Sequence, residues 1–165
     1  MKNFSDYIAV YKEELKKEDI QRAYKGLLKY VMVLKSNFSK KLSDKFYFGN
    51  ISPGYMDFTY FPFFNDFLRD EKLRFGIVLN HKKVRFELWL MGQNVQIQKK
   101  YWNILKTSQW NKNQTTMPKY SVLEVVLVED PHFNELDKLS STIEKEAILH
   151  TQEIIAYIKH STKSK

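Results

Sequence analysis

Residues 73–92, LRFGIVLNHKKVRFELWLMG, decide how this chain is expected to fold. Leu73, Phe75, Ile77 and Leu79 alternate with more polar positions, and Val84, Phe86, Leu88 and Leu90 do the same after Lys82 and Lys83. A period of two marks a strand with one face buried. A turn at Lys82 and Lys83 sets His81 opposite Val84, Leu79 opposite Phe86, Ile77 opposite Leu88 and Phe75 opposite Leu90. Turn and hydrophobic register therefore agree on one antiparallel hairpin. Lys-Lys lacks the Gly or Asn that a type I′ turn favours, and a four-residue turn over 80–83 keeps the same pairing beyond it.

On the N-terminal side, residues 55–61 alternate as a further strand, with Met56, Phe58 and Tyr60 on one face and Tyr55, Asp57 and Thr59 on the other. Pro62 predicts that this strand ends there or lies at an edge. The first third is helical. Ser5 is the expected cap of a helix carrying Ile8, Tyr11 and Leu15. Asp19 is the expected cap of a second, with Ile20, Tyr24, Leu27, Val31, Leu34 and Phe38 at alternating spacings of four and three. A break at 16–18 folds the two into a helical hairpin.

On the C-terminal side, Gly92 ends the strand and Asn94 caps an inserted helix with Ile97, Tyr101, Ile104 and Leu105 on one stripe. Residues 108–119 form a polar loop. Residues 122–128 read as a strand apolar on both faces apart from Glu124, expected to be covered on both sides. Asp130 and Pro131 are expected to open a last helix that buries Leu136, Ile143, Ala147, Ile154 and Ile158. Ser141 with Glu144 resembles a second capping box, which would divide that helix into a short and a long piece. The expected fold class is α+β: an antiparallel sheet of about four strands with an N-terminal helical hairpin, one inserted helix and a long C-terminal helix. Residues 1–160 are expected to form a single domain and 161–165 a frayed tail.

Composition narrows the chemistry. A length of 165 residues suits one domain, and the absence of Cys removes disulfide scaffolds, thiolate metal sites and Cys nucleophiles. The charge is +8, almost all of the excess being Lys: 23 Lys accompany four Arg. Arg, not Lys, is the usual bidentate reader of bases and phosphates, so nucleic acid is a possible but not a favoured partner. Asp6, Lys12, Glu13 and Glu14 interrupt any signal-peptide core, and no apolar run is long enough to span a bilayer. The expected setting is cytoplasmic, with no membrane partner. Oligomeric state is unknown from the residues.

No nucleophile, zinc or phosphate-loop motif occurs. Glu146, His150 and Glu153 lie at metal-ligand spacing on the last helix, but one helix supplies too few ligands and His150 is expected at the centre of the buried stripe, so no metal and no cofactor are expected. The opposite face of the hairpin carries more chemistry: Arg74, Val78, Asn80, Arg85, Glu87, Trp89 and Met91, with Gly76 across from Trp89 leaving room for an indole or a ligand. Asp57 and Thr59 join this face if the earlier strand pairs with the hairpin. Asn94 and Gln98 stand one helical turn apart at its border, suited to capping or to contacting something resting on the sheet. A Trp beside an Arg and two carboxylates can grip a small polar or planar ligand. Asp57, Arg85, Glu87, Trp89, Asn94 and Gln98 are therefore the ligand-binding candidates. Arg85 and Glu87, as neighbours on one strand face, can equally satisfy each other.

Two stretches, GYMDFTYF (54–61) and RFELWLMGQNVQIQKKYW (85–102), resemble an uncharacterised family of small bacterial proteins known as a domain of unknown function. YKEELKKEDIQRAYKGLLKY (11–30) is similar to that family's opening helices. The resemblance implies one bacterial domain and supplies no activity, cofactor or catalytic residue. The expected function is a non-enzymatic cytoplasmic binding domain taking a small polar or planar ligand on the polar sheet face. The alternatives are non-specific nucleic-acid binding through Lys, or an enzyme with Glu87 or Asp57 as general base. A Phe/Tyr patch over 55–67 is a further candidate surface for protein contacts.

Overall fold

The computed structural model describes residues 1–163. The elements run α1 (Phe4–Lys16), α2 (Asp19–Leu42), β1 (Tyr47–Phe48), β2 (Phe58–Phe64), α3 (Asp66–Asp70), β3 (Leu73–Asn80), β4 (Arg85–Gly92), α4 (Val95–Leu105), β5 (Leu123–Val128) and α5 (Leu136–Lys163). The strands form one antiparallel meander in chain order, β1-β2-β3-β4-β5. The architecture is the expected α+β arrangement; the fifth strand is the two-residue β1.

The deciding hairpin has the predicted register, from Leu73 opposite Gly92 to Asn80 opposite Arg85, with Phe75 on Leu90, Ile77 on Leu88 and Leu79 on Phe86. Its turn is one residue later than the four-residue alternative, covering His81, Lys82, Lys83 and Val84. The left-handed position that a tight turn requires falls on Val84, at φ 47°. A β-branched side chain there is strained.

One side of the sheet holds the core. Phe61, Phe63, Phe75, Ile77, Leu79, Phe86, Leu88 and Leu90 pack with Val31, Leu34 and Phe38 of α2, Tyr101 and Leu105 of α4, and Ile143, Ala147, Ile154 and Ile158 of α5. Each such side chain contributes roughly 1.5–3 kcal/mol by leaving water.

Several expectations are corrected. β2 passes straight through Pro62. The Pro62 carbonyl accepts from Gly49 N–H at 2.9 Å, so its nitrogen faces the β1 side, where β1 has already ended. The missing N–H thus costs the β2–β3 ladder nothing. A Cβ on Gly49 would sit 2.6 Å from Pro62 Cγ, so glycine and proline occupy this corner as a pair. Asn3, not Ser5, caps α1, and it forms a reciprocal capping box with Asp6. Asp19 is the first residue of α2, and left-handed Glu18 precedes it. β5 is an edge strand with Glu124 and Val126 exposed, so it is covered on one side only. α5 starts at Leu136, beyond Pro131, and is continuous through Ser141 and Glu144. Its buried stripe includes Leu139 and Thr151, while Leu136 is exposed and His150 lies at the stripe's border. Ser161, Thr162 and Lys163 of the expected tail are helical; Ser164 and Lys165 lie outside the described residues. The aromatic run over 55–67 is no open patch, because Phe61 and Phe63 are core residues.

Candidate functional site

The face of the sheet turned away from the helices is built by the alternate residues of three strands. The register sets Phe58 opposite Asn80, Tyr60 opposite Val78, Val78 opposite Glu87 and Gly76 opposite Trp89. Phe58 and Tyr60 therefore belong to this face. Thr59, opposite Leu79, turns to the helical side, which corrects the expectation that Asp57 and Thr59 would join Arg85 and Glu87.

Val78, Trp89 and Met91 form a second, smaller apolar cluster with Phe58 and Tyr60 against it. Trp89 is only 4 % exposed, and its ring meets that of Phe58 edge-on at 4.7 Å. The space above Gly76 is filled from within: a Cβ there would lie 2.8 Å from the Met91 methyl. Room for an outside ligand is absent at this point.

Glu87 is the centre of the polar part. It is 1 % exposed, and both of its oxygens are engaged. Oε1 accepts from Arg85 Nε at 2.5 Å and from Asn80 Nδ2 at 3.2 Å, and Oε2 accepts from Trp89 Nε1 at 2.7 Å. Arg85 turns its other edge to Glu129, donating from Nη1 to both carboxylate oxygens at 3.1 and 2.9 Å. Desolvation pulls the Arg85 guanidinium down, but its bonds to Glu87 and Glu129 outweigh this and hold it above its ordinary value. Beside them, partial desolvation and then the charge of Glu87 raise the Glu124 carboxyl, against the opposing hydrogen bond from Ser121. A buried carboxylate with a cation and two neutral donors is satisfied internally.

The other expected residues are placed apart. Asp57 lies in the loop before β2, where its Oδ1 accepts from Tyr55 N–H at 2.8 Å and Phe58 N–H at 2.7 Å. Those two donors hold its carboxyl below the ordinary range. Asn94 caps α4, accepting from Ile97 N–H at 3.0 Å. Gln98 packs on Gly92, and its Oε1 is buried without a hydrogen-bond partner. Of the six candidates, Arg85, Glu87 and Trp89 meet; Asp57 and Asn94 build local turns.

Sequence reasoning missed a second constellation further along the same strand. Arg74 sits opposite Met91, and Glu87 lies four residues from Met91, about 13 Å along the strand. At this end of the sheet Phe64, Arg69, Lys72, Leu73, Arg74 and Gln93 line a cavity of about 220 Å³. Arg69 is paired with Asp66 at 2.7 Å and lies over the Tyr47 ring. Neither Lys72 nor Arg74 has an ion pair among the described residues, and Arg74 is exposed. Lys72 is held at φ 57°, at the tight turn between α3 and β3, where its backbone carbonyl accepts from Gln93 N–H. The available signal was the scarcity of Arg: two of the four flank Lys72 within six residues.

Two further features are structural. His81 Nε2 lies 2.7 Å from Thr59 Oγ1, which itself donates to the Pro53 carbonyl, so the imidazole must supply the proton of that contact. Burial lowers the His81 pKa, opposed by Asp57. On α5, His150 lies 3.9 Å from Glu146 and 3.6 Å from Glu153, and among the described residues no group of three His, Asp or Glu is placed to hold a metal. No helix among the described residues is long and apolar enough to cross a membrane.

The chain belongs to a family described as a domain of unknown function (DUF7000), whose model matches residues 4–158. No curated protein and no solved structure matches it.

Proposed function

We propose that the protein is a non-enzymatic cytoplasmic binding domain whose ligand is a small anion, a phosphate or carboxylate group, taken at the Arg69–Lys72–Arg74 end of the polar sheet face. The observation that carries this reading is the cavity of about 220 Å³ lined by these cations, two of them without a carboxylate partner among the described residues. Unpaired cations around a concave surface favour an anion, and guanidinium groups suit its planar or tetrahedral oxygens. The Trp89 region serves as the rigid floor of the sheet beside it. Acid–base catalysis finds less support, because Glu87 has both oxygens bonded and is buried away from solvent.

Calorimetric titration with inorganic phosphate and with citrate at low salt tests the proposal. One saturable site is expected, with Arg74→Ala weakening it at least about tenfold, the loss of one charge-assisted contact. Equal affinity in the variant would overturn it. Binding of single-stranded oligonucleotide that collapses steeply with salt and ignores Arg74 would instead favour the Lys surface as a nucleic-acid contact.

A further inference from the structure

We infer that the chain self-associates by exchanging α1, the apolar stripe of one copy's α1 lying in a groove on a second copy's α2. Two unmatched features in one molecule lead there. α1 has no buried residue, and Phe4, Tyr7, Ile8 and Tyr11 are 79, 58, 48 and 63 % exposed along one side of it. A helix of 13 residues is marginal in water on its own, and packing of an amphipathic face is what ordinarily holds one. Here the rest of the chain touches α1 chiefly near its C-terminal end, where Glu14 and Leu15 are half-buried.

The groove lies on the first half of α2. Ala23, Gly26, Tyr30, Val84, Phe133 and Leu136 line an apolar cavity of about 530 Å³, to which α1 contributes no residue. A Cβ on Gly26 would meet nothing within 4 Å, so the floor is open and the backbone of α2 approachable. Val84 is held here in its strained left-handed conformation with its side chain exposed.

A second copy is the occupant that the dimensions favour. The four α1 side chains offer roughly 500 Å² of surface, and a two-fold exchange of two helices into two grooves buries on the order of 2,000 Å², the range of a stable dimer. Such an arrangement is closed, because helix and groove are both used in each copy.

Sedimentation equilibrium on the full chain up to about 100 µM tests this, since a dimer must respond to protomer concentration. The wild type is expected to be a dimer. Ile8→Asp, which removes nothing buried in the protomer, and Gly26→Leu, which fills the groove with a better helix former, are each expected to weaken it at least about thirtyfold with helix content retained. A wild type that stays monomeric, or a dimer that survives both changes, overturns the inference. The Cys-free chain permits a direct check: mixing Tyr11→Cys with Ala23→Cys protein is expected to give the mixed disulfide on oxidation, and Tyr11→Cys pairing only with itself would contradict the exchange.

Discussion

Glu87 shows how a residue with the profile of a catalytic base becomes a structural one. Three donors close around it, from Asn80, Arg85 and Trp89, and Glu129 holds Arg85 from the other side. Taking Arg85 away leaves a carboxylate uncompensated at 1 % exposure. Arg85→Ala is therefore expected to cost about 3–5 kcal/mol in chemical denaturation, while Arg85→Leu combined with Glu87→Leu costs clearly less, because the stranded charge is gone. A double variant worse than the single one would show that the network itself carries the stability. His81 makes the fold sensitive to acid. Its pKa is lowered by burial, so above the ordinary imidazole value of about 6.5 both folded and unfolded chains hold it neutral. As pH falls below that value the unfolded chain takes up the proton first, and stability is lost until the folded-state pKa is passed. Denaturation midpoints are expected to drop through this window in the wild type and to drop less in His81→Asn.

At the scale of elements, the corner of Gly49 and Pro62 and the turn at Val84 make separable predictions. Gly49→Ala forces a Cβ to within 2.6 Å of the proline ring and is expected to cost about 1–3 kcal/mol, with much of the loss recovered when Pro62→Ala is added. Val84→Asn relieves a left-handed β-branched residue and is expected to raise the stability of the protomer by about 1 kcal/mol, read from the denaturation midpoint. The hairpin containing that turn was legible residue by residue, since a one-residue slip would have turned every apolar side chain out of the core. Asn94 was equally legible as a cap, because the signal lies within three residues. Pro62 misled because its effect depends on which side its nitrogen faces, a property of the β1 partner and not of β2. Asp130 and Pro131 misled similarly: they look like a helix start, yet α5 begins at Leu136.

The whole molecule divides into a helical side that is a conventional core and a far side that closes on itself at one end and opens at the other. The far side's membership was mostly visible in the hairpin pattern, but its closure was not. That depends on Phe58 and Tyr60 arriving from β2 and on Met91 folding over Gly76, contacts that no spacing encodes. The Arg69–Lys72–Arg74 cavity was hidden for the same reason, being assembled from the ends of β2 and β4, from α3 and from the start of β3. The claim that this open end, and not the Trp89 centre, receives a ligand is tested most directly by amide shift mapping of the ¹⁵N-labelled protein during titration with inorganic phosphate at low salt. Saturable shifts confined to Arg69, Lys72, Leu73, Arg74 and Gln93, abolished in Arg74→Ala, are expected. Saturable shifts centred on Arg85, Glu87 and Trp89, or weak shifts spread over the lysines of the whole surface, would contradict it.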